Sequence, residues 1–171
     1  KLLVQINDWS LRTIAPIEMK TGFGWVQAKP ACSMAPFAIT PDEIGDLWAN
    51  GRNGAMLTTH LNGKQFGAVN GATEMAFGFH DLIAHAARTR DLVAGTVIGS
   101  GTLSTAAHAS AGSSCISERR AIDAIAGRPL TPFLSFGDRV RMQAMLPDGR
   151  APFGAIDQRV TRANQRDHDA N

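Results

Sequence analysis

Apolar and polar residues alternate on both sides of Asn62 and Gly63, in the stretch "AMLTTHLNGKQFGAV". Alternation with a period of two is typical of half-buried strands, and Asn-Gly is the strongest short signal for a two-residue hairpin turn. The pattern therefore predicts strands over roughly residues 55–61 and 64–69. A second alternating region, "FLSFGDRVRMQAMLPDGRAPFGAIDQRV", surrounds a Pro-Asp-Gly turn and predicts another hairpin.

Two further apolar segments are rich in strand-forming residues. The stretch "LLVQI", residues 2–6, predicts a strand close to the start of the chain. The Gly-rich stretch "LVAGTVIGSGTLS", residues 92–104, predicts a strand that runs into a tight turn where the backbone can approach a ligand. Between these segments, Gly and Pro punctuate residues 21–36 and predict a loop with short extended pieces.

Helical patterns are few and short. The stretch "FHDLIAHAARTR" predicts a helix over residues 79–90 with a buried face, because four of its apolar residues share one side at helical spacing. These are Phe79, Leu82, Ile83 and Ala86. Thr40 before "PDEIGDLW" predicts a short helix with Thr as N-cap and Pro at its first position. The stretch "SERRAIDAIAG" predicts a helix from a cap at Ser117 to a stop at Gly127.

These elements define a mixed α/β fold that is mostly β, with short peripheral helices. A chain of 171 residues with 44% hydrophobic residues is long enough for one domain with a sizeable core. We expect that domain to span residues 1–160 and the polar tail, residues 161–171, to be disordered. Because an apolar strand opens the chain with no turn or polar lead-in, we expect a longer polypeptide whose N-terminal portion is absent here.

Composition narrows the functional classes. The formal net charge is +2, which argues against nucleic acid or a membrane surface as a partner. The apolar runs are too short to span a membrane, and residues 1 onwards do not show a basic-then-apolar leader pattern, so we expect neither membrane insertion nor secretion. Cys32 and Cys115 are far apart and form neither a zinc motif nor a disulfide framework. We therefore expect a cytoplasmic protein.

An acid stands at the end of the first predicted strand, in "NDWSLR", where Asp8 is followed four positions later by Arg12. A carboxylate at a strand end can hold a hard cation, and an arginine beside it can bind a substrate carboxylate through two hydrogen bonds. The alternative is structural. Asp8 can be a turn-forming residue, and the two side chains can form a surface ion pair of little energetic weight.

Three other positions could carry chemistry. Lys29, in the otherwise uncharged "GWVQAKPACS", could meet an oxyanion or a substrate carboxylate, or could simply rest its aliphatic stem on an apolar loop. In "GSGTLST", residues 99–105, backbone N–H groups and Thr102 could bind an anion, although glycines in a tight β-turn explain the stretch equally well. Glu118 is either a partner in acid–base chemistry or an acid in the first turn of a helix.

Six stretches, in this order, closely resemble the fumarylacetoacetate hydrolase family, and within it the proteobacterial fumarylacetoacetase-like branch. They are "NDWSLR", "GFGWVQAKP", "THLNGK", "EMAFGFHDLIAHAARTRDLVAGTVIGSGTLS", "GSSCISERR" and "FGDRVRM". The similarity runs from about Leu2 to Val160. It implies the C-terminal part of a catalytic domain folded as a mixed β-roll, forming a homodimer and binding a divalent cation, Mg²⁺, Ca²⁺ or Mn²⁺.

The resemblance also implies roles for five residues. Asp8 matches a metal-binding carboxylate, and Arg12 matches the arginine that binds substrate. Lys29 matches the lysine that faces the metal and the developing enolate. Thr102 matches the threonine that binds the distal carboxylate of the substrate. Glu118 matches, with a gap of one or two residues, the glutamate that orients the catalytic histidine.

The chain departs from the family pattern in two ways. A substrate-binding glutamine of the family is Ala15 here, and a threonine is Ser33, so polar contacts at one end of the substrate should differ. The family's histidine base, a further acid and a Glu-x-Glu pair would all precede "NDWSLR", and no Glu-x-Glu occurs in this chain. One carboxylate cannot satisfy an ion that takes six or more oxygen ligands, so we expect this segment alone to bind metal poorly.

The function that the resemblance implies is metal-dependent hydrolysis of C–C bonds in β-diketo acids, such as fumarylacetoacetate or related acylpyruvates. One alternative is a decarboxylase, hydratase or isomerase of small keto acids on the same fold. Another is an inactive fragment that lacks the catalytic histidine and most metal ligands.

Overall fold

The computed structural model describes residues 1–162, which form a mixed α/β fold with more strand than helix, as expected. The strands are β1 (Leu3–Asn7), β2 (Ser33–Ile39), β3 (Trp48–Ala49), β4 (Arg52–Asn53), β5 (Met56–Leu61), β6 (Lys64–Asn70), β7 (Arg139–Met145) and β8 (Ala155–Arg159). The helices are α1 (Ala15–Thr21), a 3₁₀ helix (Pro41–Leu47), α2 (Phe79–Ala86), α3 (His108–Ala111) and α4 (Ile116–Ile125).

A four-stranded antiparallel sheet in the order β6-β5-β7-β8 forms the centre of the fold. Both predicted hairpins are confirmed, since β5 pairs with β6 and β7 pairs with β8. At the tip of the first hairpin, Asn62 and Gly63 have φ of 52° and 79°. Positive φ at both central residues is what a type I′ turn requires, and this explains why Asn-Gly stands there.

The core lies on one face of this sheet. The alternating apolar residues of β5, β7 and β8 all point to that face, where they pack with buried residues from the connecting segments. The buried cluster consists of Ala35, Ile44, Ala55, Leu57, Val140, Met142, Ala144, Leu146, Phe153 and Ile156. This pattern of alternation explains why the strands could be predicted from the sequence.

Strands β1 and β2 form an antiparallel ribbon beside the sheet. The side-chain amide of Gln5 in β1 is buried against β7. It donates to the carbonyl of Met142 at 3.0 Å and accepts from the N–H of Ala144 at 2.7 Å. On the other strand of the ribbon, the Phe37 N–H donates to the carbonyl of Phe153 at 3.2 Å. The ribbon that carries Asp8 is therefore joined to the central sheet through both of its strands.

The expected strand over residues 92–104 is wrong, because the segment is irregular. Glycines interrupt its β-branched residues, and Gly95 and Gly101 have φ of 88° and 77°. Backbone with positive φ at these two positions interrupts the extended conformation that a strand needs. The segment does pass close to β1, since a Cβ added at Gly99 would lie 3.9 Å from the Cδ1 atom of Ile6.

The helices also differ from the expectation in length and position. Helix α2 ends at Ala86 instead of residue 90, and no large apolar residue follows within the predicted span. The apolar face of the helix is only half buried. The segment after Thr40 is a 3₁₀ helix interrupted at Gly45, where φ is 52°. Helix α1 was not expected at all, and its seven residues are too few to display helical periodicity.

Helix α4 confirms the predicted stop but not the predicted cap. Gly127 follows the helix with φ of 63°, as a residue after a helix C-terminus often does. At the other end Cys115 occupies the N-cap position, and Ser117 lies inside the first turn. Most of the predicted disordered tail, residues 163–171, lies outside the described residues. Among residues 1–162, no helix is long and apolar enough to cross a membrane.

Candidate functional site

The end of β1 places Asp8 at the rim of the ribbon. Gln5 fixes β1 against β7, and three residues later, just past the end of the strand, the Asp8 carboxylate is half exposed. The next residue, Trp9, donates from its indole N–H to the Ser33 hydroxyl at 3.1 Å, which ties the strand end to β2. Contacts before and after Asp8 in the sequence therefore fix the backbone from which its side chain extends.

Lys29 is the partner of Asp8. Its Nζ atom lies 2.8 Å from the Asp8 Oδ2 atom and donates to the Asp8 carbonyl at 3.0 Å. The Lys29 side chain is 27% exposed and that of Asp8 is 54% exposed. The lysine is therefore not resting freely on an apolar loop, and the two residues that the resemblance placed in one site are in direct contact.

Arg12 is directed towards the loop that carries Lys29 and is not paired with Asp8. Its guanidinium carbon lies 5.6 Å from the centre of the Trp25 ring, within the range of a cation–π contact. The Leu11 N–H donates to the Ala28 carbonyl at 2.8 Å. Residues 8–12 and 25–29 thus lie against each other and bring one carboxylate, two cations and the Trp25 ring together.

Glu18 is a residue of this region that the sequence analysis missed. Its carboxylate accepts N–H bonds from Val26, Gln27 and Ala28, at 2.9, 2.7 and 3.1 Å. Partial burial raises the pKa of Glu18, but these three hydrogen bonds together lower the pKa below its ordinary value. The only signal in the sequence was an acid three residues before the Gly- and Pro-punctuated loop of residues 21–36.

Glu118 lies in a separate, more buried environment in the first turn of α4. Burial raises the pKa of its carboxyl group, while the neighbouring Ser113 hydroxyl, the charge of His108 and the Ser114 backbone lower it to a smaller extent. The Oε2 atom is buried and has no hydrogen-bond partner within residues 1–162. An acceptor in this state is suited to a donor that approaches from outside the helix.

The environment of Glu118 is built on two glycines. Gly67 of β6 and Gly112 form an isolated antiparallel bridge, and Ser113 follows with no exposed surface. A Cβ atom at Gly67 would collide with the Ser113 backbone. The close approach of these backbones therefore requires glycine in β6, and it fixes the segment that leads into α4.

Thr102 lies exposed in the irregular segment between α2 and α3. Within the described part of the chain, no hydrogen bond or ion pair joins Thr102 or Glu118 to Asp8 or Lys29. The structure thus brings together Asp8, Lys29 and, through the adjoining loop, Arg12. Cavities of about 410 Å³ beside His85 and Leu92 and about 230 Å³ beside His60 and Arg141 are lined by neither Asp8 nor Lys29.

The structure places both residues that replace polar residues of the family, Ala15 and Ser33, inside the fold. Ala15 is buried at the start of α1, so this position offers no polar group to a substrate. The Ser33 hydroxyl accepts the Trp9 indole N–H and is therefore used inside the fold.

Asp8 suits a hard divalent cation in kind, since carboxylate oxygen is the preferred ligand of Mg²⁺, Ca²⁺ and Mn²⁺. The number of ligands does not suffice. Within residues 1–162, no group of three or more His, Cys, Asp or Glu side chains could hold a metal ion. Asp8 also already contacts the Lys29 ammonium. The described residues therefore do not form a complete metal site.

The family model described as fumarylacetoacetate (FAA) hydrolase C-terminal matches residues 2–161. The chain therefore belongs to the fumarylacetoacetate hydrolase family, a superfamily of hydrolase-, isomerase- and decarboxylase-type enzymes that act on small keto acids and typically use divalent cations. No curated protein matched the chain in a sequence search.

Proposed function

We propose that this chain contributes to metal-dependent hydrolysis of a C–C bond in a β-diketo acid of the fumarylacetoacetate or acylpyruvate class. The observation that carries the proposal is the contact of the Lys29 ammonium with Asp8, beside Arg12. An ammonium group that a carboxylate holds in a fixed position can stabilise an oxygen that gains negative charge in the transition state.

Each residue has a role in this reaction. Arg12 binds a carboxylate of the substrate through its planar guanidinium, and Thr102 donates to the distal carboxylate. When water adds to the carbonyl and the C–C bond breaks, the bonding electrons move onto the neighbouring carbonyl, which becomes an enolate. Lys29 stabilises this oxygen, and the enolate carbon then takes up a proton, so that one water and one diketo acid give two acids.

Glu118 is proposed to orient the histidine that activates water. Its support is the buried Oε2 atom, which has no hydrogen-bond partner among residues 1–162, because an imidazole N–H could donate to it. Asp8 is proposed to supply one oxygen ligand to the divalent cation. A homodimer and the choice of diketo acid stay predictions from the resemblance.

The same groups would also stabilise the enolate formed when a β-keto acid loses CO₂. The replacement of a polar family residue by buried Ala15 supports a substrate with fewer polar contacts at one end. Oxaloacetate decarboxylation is therefore the reaction to compare with acylpyruvate hydrolysis.

The test is a comparison of the two reactions in the intact protein, with Mg²⁺ or Mn²⁺ added. We expect loss of the ultraviolet absorbance of an acylpyruvate, and we expect Lys29→Met to lower kcat by about 10²-fold or more, because it removes a charge aligned with the developing oxyanion. Lys64→Met, at an exposed lysine on the central hairpin, is the matched control and should keep normal turnover.

Three results would contradict the proposal. They are decarboxylation without hydrolysis, no metal-dependent turnover of either substrate, and an unimpaired Lys29→Met variant.

A further inference from the structure

Glu18 holds the backbone immediately before Lys29. Its two carboxylate oxygens receive the N–H groups of three successive residues, Val26, Gln27 and Ala28. Successive N–H groups that converge in this way form a concave anion site, which here is filled by the protein's own side chain. The segment is thereby shaped around a carboxylate on α1.

The same segment is fixed from its other side through a carbonyl. Ala28 is fully buried, and its C=O accepts the N–H of Leu11, three residues after Asp8. Ala28 thus connects the Glu18 carboxylate to the segment that carries Asp8 and Arg12. Lys29 follows directly, so the two backbone hydrogen bonds of Ala28 fix the position of the Lys29 Cα atom.

Several side chains of this loop contribute little to its order. The side chains of Phe23, Val26 and Gln27 are exposed, and that of Phe23 is 96% exposed. A loop with few buried apolar contacts depends on its hydrogen bonds for local stability. A lysine side chain has four rotatable bonds, so a fixed starting point is needed for its ammonium to stay 2.8 Å from Asp8.

We propose that Glu18 is a positioning residue for Lys29, acting through the N–H groups of residues 26–28 to hold the ammonium against Asp8 and the substrate oxygen. The inference rests on the proposed function for the role of Lys29. In this inference Glu18 makes no contact with the substrate. Its carboxylate is nevertheless needed to align the Lys29 ammonium.

The chemistry of the site makes Glu18→Gln the informative variant. Three N–H groups need two acceptor oxygens, which a carboxylate has and an amide lacks. In Glu18→Gln an NH₂ group would face one or two of these N–H donors, while the length and shape of the side chain are preserved. Glu43→Gln, at an exposed acid in the 3₁₀ helix, is the matched control.

The first measurement is amide hydrogen exchange, which does not depend on activity. We expect Glu18→Gln to speed exchange at Val26, Gln27 and Ala28 by about 10-fold or more, because their hydrogen bonds control local opening. Exchange in β5 and β7 should be unchanged, which also shows that the variant folds. Unchanged exchange at all three amides would overturn the inference.

The second measurement is steady-state turnover of an acylpyruvate in a double-mutant cycle. We expect Glu18→Gln to lower kcat by about 10- to 100-fold with little effect on KM, because misplacing a reacting group mainly affects the transition state. In the Lys29→Met background, Glu18→Gln should lower kcat no further.

The possible failures are distinguishable. If turnover depends on Lys29 but Glu18→Gln leaves kcat unchanged, or if the two losses add fully in the double variant, only the positioning role is overturned. If Lys29→Met retains wild-type turnover, the proposed function fails and this inference fails with it.

Discussion

Lys29, rather than Arg12, neutralises Asp8, although Arg12 is much nearer to it in sequence. Sequence distance is a poor guide here because residues 10–12 turn away from β1 towards Trp25, whereas the loop after α1 returns to the strand end. The Asp8–Lys29 pair is partly exposed, and such pairs contribute little to folding stability. Its value therefore lies in placing a cation at a fixed position.

Also at the residue scale, the buried carboxyl group of Glu118 should make the folding stability depend on pH. Burial raises the pKa of its carboxyl group above the ordinary value of 4.5, so folding favours the protonated form. The stabilisation is full below the unfolded-state pKa and is lost as pH rises through the folded-state pKa. Glu118→Gln cannot ionise and should gain stability relative to the wild type as the pH rises.

Urea unfolding of both proteins from about pH 4 to about pH 8 measures this difference. Glu43→Gln, at an exposed acid, serves as the control and should follow the wild type across the range. A constant difference between wild type and Glu118→Gln at every pH would argue against burial as the cause.

At the scale of elements, the helices are short and the connecting segments carry the chemistry. Helix α1 has seven residues, yet it supplies the Glu18 carboxylate that shapes the next loop. Helix α4 carries Glu118 and is anchored at its far end by Asp123, which accepts from both the N–H and the hydroxyl of Thr131. These elements are held by polar contacts to loops more than by buried apolar faces.

The contact between β6 and the segment before α4 gives a prediction at this scale. A Cβ atom at Gly67 has no room beside the Ser113 backbone, so Gly67→Ala should lower the free energy of unfolding by about 1–3 kcal/mol. At Gly99 the nearest atom would be 3.9 Å away, so Gly99→Ala should change it by less than about 0.5 kcal/mol. Urea unfolding compares the two variants, and equal stabilities would refute the packing explanation.

At the scale of the whole molecule, stability comes from the apolar face of the central sheet. Phe153 is 2% exposed and lies in the turn between β7 and β8. Phe153→Ala should lower the free energy of unfolding by about 3–5 kcal/mol, because it leaves a cavity in the core. Phe23→Ala, at a side chain 96% exposed, should cost less than about 0.5 kcal/mol. Chemical denaturation tests the pair, and a Phe153→Ala loss as small as that of Phe23→Ala would contradict this description of the core.

Much of this sheet could be predicted because its signals are local. Alternation and an Asn-Gly turn determine β5 and β6 within a few residues, and the same holds for β7 and β8. The segment 92–104 has strand-forming residues, but positive φ at two of its glycines interrupts the extended backbone. Composition alone does not show which backbone conformation these glycines adopt. Helix α1 escaped prediction because seven residues display too little periodicity.

The candidate site was only partly predictable for a similar reason. The resemblance named Asp8 and Lys29, and the structure shows them in contact. The role of Glu18 depends on three backbone N–H groups converging on one carboxylate. No residue type in the loop indicates that convergence, so it could be recognised only from the three-dimensional structure.

The hydrogen bonds of the Gln5 amide also determine the direction in which the side chain of Asp8, directly after β1, can point. A primary amide presents an N–H donor and a C=O acceptor on the same side, as the N–H and C=O of one strand residue do, so it can take the place of a neighbouring strand residue along β7. Because strand side chains alternate between faces, sliding β1 by one residue would remove this pairing and turn Asp8 to the opposite face. A single buried glutamine thus fixes the register of β1, and this register determines on which face of the ribbon the Asp8 carboxylate lies.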